Sequence, residues 1–358
     1  TGNSFTDYIF LNKKRVGLKP RLEDNMLDPE HTKSHEIGLN AGFLNDKINL
    51  AFTMYKTSTS DLPFGGYFPI PFQGDIYFMY NGCRIDNKGF ELTLSANVNI
   101  GQVKWDGRFT YSVNKNEVKQ LTEPQKNPIT DTDSNLEEIQ MAKGSGWYTP
   151  LKKGGSIGDI YVTDFQRDEQ GNVVIDKTSQ NVVPVNEYIY AGNADPKYTM
   201  GLANSFFWKG FELDFVIHAR FGGVGLSMTQ AVMDQFGVSQ ATAIARDNGG
   251  VWVSGEKIPA ENYYRLVGWA RTGTVYTYDA TNIRLAEMSI AYHIPVNRWV
   301  KWIQDVRVAL VGRNLLMLYN KAPFDPESTA STGTWGQGID NFRQPSYRNM
   351  GFSVNLTF

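Results

Sequence analysis

The chemistry open to this sequence is carried by few residues. His31 and His35 stand four apart, Cys83 is the single cysteine, and Asp164, Gln166, Asp168, Gln170 and Gly171 have the spacing of a loose calcium loop. The two histidines precede an alternating segment and not a helical one, so their spacing does not turn them to one metal-facing side. They read as solvated loop residues. The Asp164 run has amides at two ligand positions and lacks the closing glutamate, which favours a turn between two short strands. A single cysteine excludes an internal disulfide framework and any multi-cysteine metal site. The sequence has no glycine-rich loop ending in Gly-Lys-Ser/Thr, no paired-histidine zinc helix and no strand-elbow serine. An enzyme reading therefore has no starting point, and no catalytic residue, cofactor or metal is expected.

Two further sets of residues are suited to binding. Glu91, Asp106, Arg108, Glu212, Asp214, Arg220, Arg284, Arg307 and Arg313 all fall on the polar side of alternating segments. There they would line a lumen, either as a structural charge network between a wall and what fills it or as a substrate path. Glu91 and Arg108 are read as lying on neighbouring strands. The second set is aromatic: Trp147, Tyr148, Trp252, Tyr263, Tyr264, Trp269, Tyr276, Tyr278 and Trp335 lie in connecting segments with polar flanks. Such residues stack on sugars or grip peptides, and equally serve to pack connections together.

Strands must position both sets. Two-residue alternation, which sends successive side chains to opposite faces, recurs near residues 35–44, 47–56, 87–99, 102–114, 197–207, 211–221, 282–294, 305–316 and 347–358. That makes about nine strands, longer than the usual five or six residues of soluble sheets. Three hairpin registers follow from matching apolar faces. Around Asn45-Asp46 the pairs are Phe43–Ile48, Ala41–Leu50, Leu39–Phe52 and Ile37–Met54. Around Lys209-Gly210 they are Phe206–Leu213, Asn204–Phe215, Leu202–Ile217, Met200–Ala219 and Tyr198–Phe221. With Ile100-Gly101 as a two-residue turn they are Val98–Val103, Ala96–Trp105, Leu94–Gly107, Leu92–Phe109 and Phe90–Tyr111.

Connections alternate short and long. The short ones are the three turns and Pro295–Gln304; the long ones are Thr57–Asp86, Lys115–Pro196, Gly222–Ala280 and Met317–Ser346. Residues 1–34 read as a lead-in loop and 35–358 as one wall. Among 358 residues, 35 basic and 37 acidic side chains leave a net charge of -2, which gives no electrostatic case for nucleic acid. No apolar run approaches the 18 or so residues of a membrane-crossing helix, a statement that leaves a β-barrel open. Long strands with one apolar and one polar face, joined by short turns at one end and long loops at the other, are the pattern of an outer-membrane barrel. Trp208 and Phe207 at one short turn, and Tyr292, Trp299 and Trp302 at another, fit an interfacial aromatic girdle. The alternative is a soluble all-β sandwich whose apolar face is covered by a second sheet. The start, Thr1-Gly2-Asn3-Ser4, has neither the basic stretch nor the apolar core of a secretory signal, as in a mature protein or a fragment.

Several strings carry a family resemblance. Leu27-Asp28-Pro29-Glu30 followed by His35-Glu36-Ile37-Gly38-Leu39, and then Asn87-Lys88-Gly89-Phe90-Glu91, look like strand entries of the SusC/RagA branch of TonB-dependent outer-membrane transporters. Gly158-Asp159-Ile160 through Asp164, with Gly192 to Pro196 and Gly201-Leu202, resemble the long loop that leads back into that family's wall. Ile283-Arg284-Leu285, Ala291 to Pro295, Arg313-Asn314-Leu315, Asp325-Pro326-Glu327, Pro345, Arg348 and the terminal Phe358 resemble its closing strands. The Asp164 loop lacks the family's frequent Asn-x-Asp-Gly turn, and Phe324 stands where glycine is common.

The resemblance implies an antiparallel transmembrane β-barrel of the plugged type in the bacterial outer membrane. Such a barrel has about 22 strands, so nine would be its carboxy-terminal portion, with the plug and TonB-contact segment lying outside this chain. It further implies TonB-dependent import of a large oligosaccharide or oligopeptide, a SusD-like surface lipoprotein as lid, contact with outer-membrane lipid, and no bond made or broken. Trp147, Tyr148, Trp252, Tyr263, Tyr264, Trp269 and Trp335 would meet substrate, while Glu91, Asp106, Arg108, Asp214, Arg220, Arg284 and Arg307 would line the lumen. The competing functions are a soluble glycan-binding or glycan-degrading protein and a passive porin.

Overall fold

The computed structural model describes residues 8–11, 14–17, 29–70, 74–121, 125–126, 133–134, 138–296, 299–328 and 336–358. Trp335, and Leu27 and Asp28 of the first family-like string, lie outside them. The strands used below are β1 (His31–Phe43), β2 (Ile48–Ile70), β3 (Gly74–Ile100), β4 (Val103–Gln120), β5 (Glu138–Gly144), β6 (Trp147–Lys152), β7 (Asp159–Phe165), β8 (Pro184–Asn193), β9 (Tyr198–Trp208) and β10 (Phe211–Phe221). After them come β11 (Val224–Ser227), α1 (Met228–Gln235), α2 (Gln240–Asp247), β12 (Val251–Val253), β13 (Glu256–Ile258), α3 (Ala260–Ala270), β14 (Thr277–Asp279), β15 (Asn282–Ile294), β16 (Asp305–Asn320), β17 (Ile339–Asp340) and β18 (Asn349–Thr357).

Nine of these, β1, β2, β3, β4, β9, β10, β15, β16 and β18, form one sheet in which each strand pairs with the next along the chain. Two of the expected registers are present pair for pair. Phe43 faces Ile48 and Ile37 faces Met54, while Tyr198 faces Phe221 and Phe206 faces Leu213. Lys209 and Gly210 both take positive φ, the two-residue turn that matches strand twist. The third register differs by two residues: Ile100 faces Val103, Leu94 faces Phe109 and Leu92 faces Tyr111. The faces are preserved because the shift is even, but the turn is Gly101-Gln102 and not Ile100-Gly101. The reason is backbone chirality: the first turn position has φ +63°, which glycine adopts freely and a β-branched isoleucine does not. Gly101→Val should therefore cost about 1–3 kcal/mol in denaturant unfolding, and Ile100→Val almost nothing. Equal effects would show that this turn chemistry does not set the register.

Several connections are more structured than their sequence suggested. Segment 57–86 is mostly strand, because β2 and β3 have 23 and 27 residues and pair out to Ile70 opposite Gly74. Crossing a bilayer takes about 9–11 tilted residues, so this hairpin continues well beyond it. His31 and His35 lie inside β1 and are exposed, not in a loop before it. Around Asn45, residues Leu44, Asn45 and Asp46 all adopt positive φ in a four-residue turn.

Burial in the wall is inverted relative to a water-soluble sheet. Ile37 and Phe352 are 78% and 77% exposed, and Leu39, Met54, Leu94, Leu310, Met350 and Val354 share their apolar face. No water-soluble surface holds so continuous an apolar band, and no second sheet covers it among the described residues. The sandwich alternative is overturned. Phe90 is half-buried by rings on its own face, in a ladder Phe52, Phe90, Tyr111, Tyr198 and Phe221 with centroids 4.8–6.1 Å apart. At the short-turn end Trp208, Phe211, Trp299 and Trp302 are exposed, and Trp302 stacks on the terminal Phe358 at 5.5 Å.

Candidate functional site

The long connections fold into a module of their own. Strands β8, β7, β6 and β5 pair in that order as a four-stranded sheet. One face of β7 puts Ile160 and Val162 against Leu226, Met228 and Ala231 at the start of the third long connection, with Ile258, Tyr263, Val267 and Tyr276 from its later part and Ile339 from β17. Local sequence explains the helices. Ser227 caps α1 by accepting from the Gln230 amide, Ser239 caps α2 by accepting from the Thr242 amide, and α3 stops where Arg271 turns left-handed. Only glycine fits at 146, where φ is +80° and an added Cβ would lie 1.8 Å from the Arg271 carbonyl oxygen. A second apolar cluster, Cys83, Ile85, Val118, Leu121, Ile139 and Leu151, joins the outward parts of β3 and β4 to β5 and β6. The Asp164 run is a turn, as expected: Asp168 accepts from the Gln170 and Asn172 amides, and Arg167 bridges to Val173.

The module is fastened to the polar face of the wall by buried polar groups. Asn116 on β4 accepts from the Ser156 hydroxyl and the Ile157 amide at 2.6 and 2.8 Å and donates to Asp195 at 3.0 Å. Asp159 accepts from the Ser156 amide and from Asn193. Arg220 donates to the Ala194 carbonyl, and its Nε has no partner among the described residues. Arg284 on β15 grips Asp325 through both terminal nitrogens, Nη2 at 2.6 Å and Nη1 at 3.2 Å, and lies 3.3 Å from Glu327. His218 Nδ1 is 3.5 Å from the same Glu327 oxygen. Burial alone would raise the Asp325 carboxyl, but hydrogen bonds from Arg284 and Ser346 outweigh it and hold it below the usual aspartate value. Glu327 is likewise held low against burial by His218 and Arg284. The strings Gly158-Asp159, Gly192 to Pro196, Arg284 and Asp325-Pro326-Glu327, scattered in sequence, thus meet at one junction.

Opposite its buried face, the module sheet displays tyrosines. Tyr148 faces Tyr161 and Tyr161 faces Tyr190 across neighbouring strands, and Tyr188 stands edge-on to Tyr148 at 4.7 Å. Lys143 and Lys152 reach over the Tyr188 and Tyr161 rings, each at 5.7 Å. Burial, then the Glu138 carboxylate beside it, pushes the Tyr148 phenol up to about 12; burial and Asp159 do the same for Tyr190. The Tyr148 and Tyr190 phenols are therefore neutral at physiological pH, and the four tyrosines present ring faces and polar hydroxyls together. Of the four, the sequence had pointed only to Tyr148. The alternation Tyr161 with Val162 and Tyr188 with Ile189 was the signal for the rest.

The other expected contact residues are divided. Trp147 and Tyr264 pack against the module core and Tyr263 is buried in it, so they serve to pack the connections. Trp252 and Trp269 are exposed, at 69% and 74%. Of the polar set, Asp214 accepts from Ser289 and lies 3.9 Å from Arg307, which donates to Glu212 at 2.7 Å. His293 joins Glu212 to Asp305, closing a network near the short turns. Asp106 accepts from Asn97. Glu91 and Arg108 lie on the neighbouring strands β3 and β4, as expected, Glu91 opposite Ser112 and Arg108 opposite Ser95.

A lipid-facing antiparallel wall, girdled by aromatics and topped by an ordered module fixed to its polar face, defines an outer-membrane β-barrel. The chain belongs to the family described as TonB dependent receptor-like, beta-barrel, which matches residues 19–358. It is 24% identical over 355 residues to a TonB-dependent receptor of Formosa agariphila, covering 92% of this chain and 34% of that protein. To the TonB-dependent receptor SusC of Bacteroides thetaiotaomicron it is 24% identical over 225 residues, covering 61% of this chain and 22% of that protein. Its fold matches the RagAB peptide importer in the closed-closed state with a TM-score of 0.68 at 16% identity, over 99% of this chain and 38% of that one. The chain spans about a third of the length of such relatives. Its place is the bacterial outer membrane.

Proposed function

We propose that this chain forms the carboxy-terminal part of the wall of a TonB-dependent importer that carries a large nutrient, an oligosaccharide or oligopeptide, across the outer membrane without chemical change. Residues 35–358 are one wall with its outward loops, and TonB acts through a region that this chain does not include. The observation that carries the reading is the module, seated on the polar face through Asn116, Arg220 and Arg284. A passive porin needs an open mouth and gains nothing from a module with two apolar cores.

Substrate meets the tyrosine face and the exposed Trp252 and Trp269. A SusD-like lipoprotein covers this end. The network Glu212, Asp214, His293, Arg307 and Asp305, together with Asp106, faces the lumen at the opposite end, where a plug docks, while Glu91 and Arg108 line it farther along the wall. The test is uptake of labelled oligosaccharide and oligopeptide pools by cells carrying the full-length protein, with and without TonB coupling. Coupling-dependent uptake is expected, and the triple substitution Tyr148→Ala, Tyr188→Ala, Tyr190→Ala should weaken it about 3- to 10-fold, the scale of one or two aromatic contacts. Uptake that persists without coupling would favour the porin.

A further inference from the structure

The module rests its lysines on its aromatic rings. Lys143 on β5 stands opposite Tyr148 and holds its ammonium 5.7 Å from the Tyr188 ring centroid, and Lys152 on β6 lies at the same distance from Tyr161. The hairpin of β12 and β13 repeats the arrangement, with Lys257 opposite Trp252 and 5.8 Å from its ring. All three lysines are exposed. Among the described residues neither Lys143 nor Lys257 has a carboxylate within ion-pair distance, and Lys152 has only the exposed Glu138, at 3.9 Å. Asp159, the other carboxylate that touches the tyrosine face, is buried and accepts from the Tyr190 hydroxyl, the Ser156 amide and Asn193. The neutral Tyr148 and Tyr190 phenols do not repel an anion.

An ammonium over an exposed ring is weakly held and leaves it for a better acceptor. A neutral sugar that stacks on Tyr161 or Tyr188 must displace the lysine and gives it no charge to pair with. A carboxylate or sulfate on that sugar accepts charge-assisted hydrogen bonds from the displaced ammonium, while the ring is freed for the sugar's apolar face. We propose, on the reading that this face meets the imported nutrient, that it selects oligosaccharides bearing carboxylate or sulfate groups over neutral ones, with Lys143 and Lys152 setting the choice. An acidic peptide suits the same charges, but extended peptides are held by pairing along a free strand edge. Both edges of this sheet are interrupted: β8 shifts register on either side of Tyr188 to Tyr190, and β5 bulges opposite Thr149 and Pro150.

Calorimetry on the purified full-length protein tests this with hexagalacturonate and its methyl-esterified form, a carrageenan hexasaccharide and its desulfated form, and hexaglutamate. Each neutral form keeps the sugars and removes the charge. At least one anionic hexasaccharide should bind about fivefold to tenfold tighter than its neutral form, the scale of two exposed ion pairs, and the ratio should shrink as salt rises. The pair with the larger ratio distinguishes carboxylate from sulfate. Lys143→Gln with Lys152→Gln should abolish the ratio while the neutral forms bind as well or better, because the rings are then uncovered; Lys143→Arg with Lys152→Arg should keep it. A merely structural role for the lysines would weaken charged and neutral probes alike. Equal binding within both pairs, no binding of either anionic sugar, a ratio that survives in the glutamine variant, or hexaglutamate bound as tightly as the sugars overturns the proposal. Uptake that ignores TonB coupling sinks the import reading and leaves these affinities standing.

Discussion

Replacing Arg284 with methionine should release the segment around Asp325 and Glu327 from the wall and abolish uptake while leaving the barrel assembled. The guanidinium is 10% exposed, as is Asp325, and no other cation contacts Asp325 among the described residues. Removing one member of a buried, hydrogen-bonded ion pair costs about 3–5 kcal/mol, chiefly because the remaining charge is stranded. That figure falls on a local unit: an eight-residue segment, 321–328, tethered through Asp325 and through Asn320, which donates to the Ala322 and Phe324 carbonyls. Limited proteolysis should cut between 321 and 346 at least tenfold faster in the variant, with heat-modifiable migration unchanged. The acid dependence carries a sign as well. Asp325 and Glu327 are held below their ordinary values, so their contribution is full above about 4 and is lost only as pH falls through those lowered values. Native anchorage should thus hold through neutral and mildly acid pH. An Arg284→Met protein with native protease resistance at pH 7 would show that the junction is not held by this pair.

How far sequence alone reached follows from how local each determinant is. The wall could be read because alternation is a property of neighbouring residues, and because a hairpin between matched apolar faces has few registers. Where two registers preserve the same faces, as at Ile100, Gly101 and Gln102, periodicity cannot choose between them, and the choice rests on which residue takes positive φ. The module was beyond this kind of reading. Its core joins β7 to α3, about 100 residues apart, and no pattern within either segment says that they meet. For the same reason Trp147 and Tyr263 looked like contact residues: polar flanks mark an exposed stretch only when no distant segment covers it. The junction lay between these cases. Each family-like string was visible, but that Arg284 closes on Asp325, 41 residues on, needed the fold.

Excision of Gly249–Thr274 separates the wall from the module most severely. That stretch lies in the third long loop, where a substrate- or lid-binding role would make it dispensable for folding. The structure gives it a different weight. It contains Ile258, Tyr263 and Val267, each 8% exposed or less, and Gly273, which lets the chain pass against Val162. Truncating one such buried side chain typically costs about 2–5 kcal/mol, and losing three at once exceeds what a module of this size can hold in reserve. The module should melt as a whole, exposing Ile160 and Val162 of β7, which the excision leaves in place. The nine-stranded wall has its own ladder hydrogen bonds and its lipid face, and draws on the module only at the junction and at the cluster around Cys83. Heat-modifiable migration should therefore persist, while protease sites in residues 138–193 become accessible and uptake falls to background. Trp252→Ala with Trp269→Ala, at exposed positions of the same loop, should leave residues 138–193 protected and reduce uptake alone. Protection of 138–193 after the excision would mean that β5 to β8 stand without the third loop, and that the shared core is not what orders the outward end.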